Sequence, residues 1–168
     1  MAFAHTMGNL AAYRDSTGQS YWDLIHEEVL AVDRESEEGP GNWTKKKLNR
    51  LVGVDSFIRE SLRLDMSPPV GLIRKVISKE GYTYSNGLHL KQEAFVGVPA
   101  LCIHTDQDSI KAGTDATEFD GFRFSRPYQE LVVNAPATDI SATSGVGKHA
   151  AVTTNDQYLA FGHGKHAW

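Results

Sequence analysis

Apolar positions in the first third of the chain recur at helical spacing and then give way to short β-prone runs. Met1 to Tyr13, rich in Ala, Met and Leu, predicts a short helix. Asp15-Ser16-Thr17-Gly18 reads as a turn. From Tyr21 to Asp33 the apolar residues Tyr21, Trp22, Ile25, Val29 and Val32 predict a second helix. It ends in the acidic Gly/Pro loop Glu35 to Gly41. Thr44 is the expected N-cap of the next helix. Leu48, Leu51, Ile58 and Leu62 form its apolar stripe, with Glu60 and Arg63 as neighbours on a second face. Pro68-Pro69 closes it.

Beyond the prolines, Val70 to Ile77, Tyr82 to Tyr84 and Leu88 to Val98 read as strands, with a turn at Asn86-Gly87. His104 to Ile110 reads as one helical turn. Periodicity fades from Lys111 onward, and Tyr128 to Asn155 reads as a long surface loop. No internal repeat is present. The pattern predicts a mainly α chain with small β-sheets, an α+β fold.

Composition narrows the field without naming a chemistry. The 168 residues suffice for one domain, and 40% hydrophobic with 23% charged residues fits a soluble globular chain. A net charge of -4 offers no basic footprint for nucleic acid. No apolar run is long enough to span a membrane, and Met1 to Leu10 lacks the pattern of a signal peptide. The single cysteine, Cys102, excludes an internal disulfide and a Cys-based zinc site. It lies in an apolar, strand-like run, where a buried structural role is expected. Composition therefore points to a soluble, intracellular chain and goes no further than that; cytoplasmic is the expectation only for a stretch without an anchor.

Three segments carry chemistry in combination. They are Glu60-Ser61-Leu62-Arg63, Phe119-Asp120-Gly121-Phe122-Arg123-Phe124, and Phe161-Gly162-His163-Gly164-Lys165-His166-Ala167. An isolated ExxR is usually a surface ion pair, and a Gly/His tail is usually a flexible end. In this order the three resemble the cytochrome P450 family, fungal type. The resemblance runs from about Ala2 to Ala167. It implies a partial P450 fold from the end of the long central helix to the heme-binding loop, the C-terminal part of such an enzyme. Residues 1–64 would be its helical part, 65–110 its β-rich part, and 111–168 the meander and heme loop.

The resemblance also assigns roles. Glu60, Arg63 and Arg123 would form the triad that locks the core behind the heme. A carboxylate between two guanidiniums suits burial only if every charge is paired. Ala2-Phe3-Ala4-His5-Thr6 is similar to the oxygen-activating stretch, with Thr6 as its hydroxyl and His5 where many members carry an acid. Arg74 and His166 would meet the heme propionates. Phe161 and Gly164 fit the heme loop, and Pro68, Pro69 and Val70 match a pocket-lining segment. The spacing places the thiolate ligand at position 168, which is Trp168. An indole offers only an N–H donor and cannot replace the thiolate. The expectation is a chain that stops at the heme cysteine and is inactive by itself.

The implied parent is a heme-thiolate monooxygenase acting on a small lipophilic substrate, in fungi a secondary metabolite. Its implied partners are NADPH-cytochrome P450 reductase and an endoplasmic reticulum membrane, reached through an N-terminal anchor that this chain does not carry. Two other classes compete: a non-catalytic remnant that binds nothing or occupies partners of a full-length enzyme, and a small metal- or anion-binding module on the Gly/His tail. Ser144 to His149 mimics a phosphate loop, but Ala142 and His149 stand where Gly and Ser or Thr are required. His163 and His166 are too few ligands for a structural zinc. The remaining histidines read as surface residues.

Overall fold

The computed structural model describes residues 2–34, 39–66, 68–110, 115–126 and 151–166. The acidic stretch 35–38, the phosphate-loop mimic, most of the expected surface loop, and Ala167 with Trp168 lie outside the described residues. The elements are α1 (Ala2–Ala12), α2 (Tyr21–Arg34), α3 (Lys45–Leu48), α4 (Val52–Leu64), β1 (Gly71–Lys75), β2 (Tyr82–Thr83), β3 (His89–Leu90), β4 (Phe95–Val98) and α5 (Ala100–His104). A 3-10 turn follows at Gly164–His166. Helices with small antiparallel sheets make an α+β arrangement. Among the described residues no helix is long and apolar enough to cross a membrane.

The single helix expected after Thr44 is two helices. Thr44 caps only α3, its hydroxyl accepting the Lys47 amide at 3.3 Å. Leu51 then leaves helical geometry (φ -80, ψ 66) and offers no side-chain cap to α4. Glu28, from α2, caps α4 instead. Its carboxylate accepts the Gly53 and Val54 amides at 2.7 and 2.8 Å, satisfying first-turn donors that have no partner inside the helix. Below the break, the fully buried Lys47 ammonium meets Asp33 at 2.6 Å and the Gly39 carbonyl at 2.9 Å.

The break overturns the apolar stripe. Leu48 is 53% exposed, and Leu51, Ile58 and Leu62 are only half-buried. The buried face of α4 carries Gly53, Ser56, Phe57, Arg59, Glu60, Ser61 and Arg63. The helix therefore turns a mostly polar face inward, which only internal pairing of its charges makes stable.

α4 packs against α1 and α2. The core there is aromatic. Leu10, Tyr21 and Phe57 are buried, with Phe119 and Phe122 packed on them. Ring centroids lie 5.2 Å apart for Tyr21–Phe57, 5.2 Å for Tyr21–Phe122 and 5.3 Å for Phe57–Phe119, in the tilted geometries that ring quadrupoles favour. The Tyr21 hydroxyl accepts the Gly121 amide at 3.0 Å. Gly121 lies so close that an added Cβ would stand 2.5 Å from Phe57 Cδ2 and 2.8 Å from Tyr21 Cε1.

The sheets are small. β1 pairs antiparallel with β4, and the register slips between Gly71 and Arg74. Leu72 sits at this bulge with φ 51, a strained value for a branched residue. β2 and β3 form a hairpin whose turn includes Gly87 at φ 86. The run Leu88 to Val98 is not one strand. Glu93 turns with φ 72 between β3 and β4. The run ending at His104 is also not a strand: it folds as α5, and Cys102 on α5 is exposed rather than buried. Within the stretch His104 to Ile110, where one helical turn is expected, the Ser109 and Ile110 amides return to the Asp106 carbonyl at 3.1 and 3.0 Å, a single turn separate from α5, which ends at His104.

Gly121→Ala is expected to lower stability by about 1–3 kcal/mol, the usual range for overpacking a filled core. The urea midpoint of the variant measures this.

Candidate functional site

The described part of the molecule is organised around one carboxylate. Glu60 Oε2 accepts Arg63 Nε at 2.7 Å, and Glu60 Oε1 accepts Arg63 Nη2 at 2.7 Å. Oε1 also accepts Arg123 Nε at 3.1 Å and the Asp120 amide at 3.0 Å. All three side chains are fully buried. The surplus positive charge is spread over backbone carbonyls. Arg63 Nη1 donates to His104 at 2.6 Å and to Ala116. Arg123 Nη2 donates to Asp115 and Glu118, each at 2.9 Å. The network thus sews α4 to the segment 115–123 and to the end of α5. Each connection needs a planar fork, which lysine lacks.

A second set of contacts docks residues 151–162 onto α4. The Asp55 carboxylate accepts the Ala151 amide at 3.1 Å. The Arg59 guanidinium lies 3.8 Å from the centroid of the Tyr158 ring and 4.9 Å from that of Phe124, and it donates to the Thr153 carbonyl at 2.8 Å. The Leu159 amide donates to His104 Nε2 at 2.7 Å.

His104 is a correction to the expectation that the remaining histidines lie on the surface: it is fully buried. Its Nδ1 lies 3.0 Å from the Arg63 carbonyl, and its ring stacks on Tyr158 at 5.3 Å and 14°. Burial pushes its pKa below the ordinary 6.5, aided by the nearby positive charges of Arg63 and Arg59.

Beside these contacts lies a cleft of about 540 Å³. One wall is Leu62 and Met66 from the end of α4 and the chain after it. A second is Val70 to Arg74, including the β1 bulge. A third is Leu159 to Gly162, and Ala2 and His5 of α1 close it. The walls are mainly apolar, with His5, Asp65 and Arg74 as the ionisable groups. His5 Nδ1 lies 3.9 Å from Asp65 Oδ2, and Asn9 donates to the same oxygen. Gly97 lets β4 approach the bulge, since a Cβ there would meet Val70 Cγ1 at 2.6 Å.

The structure brings His5, Arg74 and Phe161 to this one cleft and joins Glu60, Arg63 and Arg123 behind it. Thr6 does not line the cleft; its hydroxyl bonds back to the Ala2 carbonyl at 3.0 Å. Gly164 is exposed in the 3-10 turn and also lies off the cleft. The His166 side chain and Trp168 are outside the described residues. Cys102 is not among the lining residues. Reading the sequence missed Arg59, Asp65, His104 and Tyr158. Arg59 directly precedes Glu60, which was a usable signal. The others have no local pattern that marks them.

No family model matches the chain. Individual proteins do. The chain is 33% identical over 174 residues to the cytochrome P450 monooxygenase gloP of Glarea lozoyensis, covering 99% of this chain and 29% of that protein. It is 30% identical over 168 residues to cytochrome P450 monooxygenase 151 of Postia placenta, covering 99% and 28%. It is 33% identical over 143 residues to the cytochrome P450 monooxygenase tenB of Beauveria bassiana, covering 85% and 25%. This chain belongs to the fungal cytochrome P450 family, as a stretch of such an enzyme. It spans between a quarter and three tenths of the length of these relatives. Heme, with its iron, is the cofactor of that family.

Glu60→Ala is expected to cost about 3–5 kcal/mol, because it strands two buried guanidiniums. Arg63→Lys is expected to destabilise as well, since an ammonium cannot reach two carboxylate oxygens and the carbonyls together. Urea denaturation of both variants tests this.

The sign of the His104 effect follows from its depressed pKa. The unfolded chain takes up this proton near pH 6.5 and the folded chain only at lower pH, so stability falls as pH drops below 6.5. The buried carboxyls of Glu28 and Asp55, raised mainly by desolvation, act in the opposite sense. The difference between the wild type and His104→Gln isolates the histidine. Denaturation midpoints between about pH 5 and 7.5 should fall more steeply toward acid in the wild type.

Proposed function

We propose that this chain is the part of a heme-thiolate monooxygenase that frames one side of the heme cleft. The observation that carries this reading is the cleft itself. Apolar walls converge there with a cationic Arg74, and the buried network backs the segment that forms its third wall. The residues fit the group. A flat, apolar macrocycle with carboxylate arms asks for greasy walls and a cation at the rim. Leu62, Leu72, Leu159 and Phe161 would hold the ring. Arg74 would pair with a carboxylate arm, and His166 is assigned the same role by its place in the heme loop.

When bound with a thiolate ligand, the heme supplies oxygen activation. The residues of this chain would orient it and exclude water, and His5, which lines the cleft, would move a proton there. The position that the loop spacing assigns to the thiolate holds Trp168, and Cys102 is exposed on α5. On this reading the residue at position 168 of this chain supplies no thiolate to the iron. In the parent enzyme one oxygen atom is inserted into a small lipophilic substrate, with electrons from NADPH-cytochrome P450 reductase at the endoplasmic reticulum membrane.

The test is a hemin titration of the purified chain, followed by reduction and carbon monoxide. Hemin should bind, and Arg74→Ala should weaken it about tenfold, the worth of one charge-assisted hydrogen bond. The red-shifted Soret band of a thiolate-ligated iron should be absent in the wild type and present in Trp168→Cys. Failure to bind hemin would overturn the reading. A thiolate band in the wild type would mean that Cys102 reaches the iron.

A further inference from the structure

We propose that His104 is the positioning residue that ties the buried Glu60–Arg63–Arg123 network to the wall of the cleft. It does so by fixing the Leu159 amide, and with it the backbone of Leu159 to Gly162. The proposal rests on the heme reading only for what the cleft holds.

Arg63 grips His104 at two points. Its Nη1 donates to the His104 carbonyl at 2.6 Å, and its own carbonyl lies 3.0 Å from Nδ1. On the far side of the ring, the Leu159 amide lies 2.7 Å from Nε2. An amide N–H can only donate, so Nε2 accepts and the ring proton sits on Nδ1, where it donates to the Arg63 carbonyl. One neutral tautomer therefore satisfies both ring nitrogens. A proton on Nε2 would face the Leu159 N–H and break the link.

The charged groups that face the ring agree with a neutral state. Arg63 and Arg59, both on α4, repel a second proton. The Tyr158 phenol covers the ring face, and its hydroxyl is occupied by the Ala151 carbonyl at 3.2 Å.

The anchored amide opens a tight turn. The Gly162 amide returns to the Leu159 carbonyl at 2.9 Å, and Gly162 has φ 82. Leu159, Ala160, Phe161 and Gly162 all line the cleft. Fixing Leu159 at its amide therefore fixes where the whole turn stands against the cleft. His104 does not itself line the cleft, so its action there is through Leu159.

Nitrogen-15 spectra of the wild-type ring and hydrogen exchange at the Leu159 amide test the proposal. The variants are His104→Gln, which keeps one donor and one acceptor, and His104→Phe, which keeps neither. The wild type should show the Nδ1–H tautomer and slow exchange at Leu159. His104→Gln should retain most of that protection. His104→Phe should lose it by roughly ten- to a hundredfold and bind hemin about tenfold more weakly, with unchanged helix content.

An Nε2–H tautomer, or equal Leu159 exchange in the wild type and His104→Phe, would overturn the proposal. If His104→Phe does not fold, the wild-type ring spectrum decides by itself. If no form binds hemin, the heme reading falls, while tautomer and exchange still decide the role of His104.

Discussion

The placement of Glu60 between Arg63 and Arg123 is the constraint on which the rest depends. Burying three charges is tolerable only when each finds partners, and here the connections reach segments far from α4 along the chain. Arg63 reaches α5 and residues 116–118, and Arg123 reaches 115 and 118. The Asp120 amide completes the carboxylate. Segments with almost no regular structure are thereby held by α4 rather than by ladders of their own.

α4 is consequently a hub with an unusual face. A helix in a small domain commonly buries leucines and exposes charges. This one buries Arg59, Glu60 and Arg63 and leaves Ile58 and Leu62 half-buried. Leu62 borders the cleft, so the half-buried flank of the helix becomes one of its walls while the charged flank becomes the scaffold. The aromatic cluster of Tyr21, Phe57, Phe119 and Phe122 holds α2 and the segment around Gly121 to the same helix.

The cleft is built from places where regular structure fails: the end of α4, the bulge at Leu72 and the turn at Gly162. Backbone irregularity of this kind lets side chains and main chain converge on one space. The relatives are fungal cytochrome P450 monooxygenases several times longer than this chain. Several apolar residues on and beside the small sheets, Ile73, Ile77 and Phe95 among them, are exposed.

Much of this was legible locally. Helical spacing placed α1 and α2 closely, Thr44 is a helix cap, and Asn86-Gly87 is a hairpin turn. Those features depend on interactions within a few residues. The three motifs were also legible as residues in order, and the α+β class followed from the hydrophobic pattern. What the sequence could not decide is which face of α4 turns inward. An apolar stripe argues for Leu48, Leu51, Ile58 and Leu62, whereas burial is decided by partners about 60 residues away in the chain, at Asp120 and Arg123. The split between α3 and α4 has the same cause, since Glu28 lies on another helix. Cys102 looked buried from its apolar neighbours, yet the short helix α5 turns it to solvent. His104 looked like a surface residue, yet the same helix carries it between Arg63 and Leu159. Local pattern reports what a segment prefers, and only the tertiary structure supplies the distant charge or amide that makes burying an arginine or a histidine favourable.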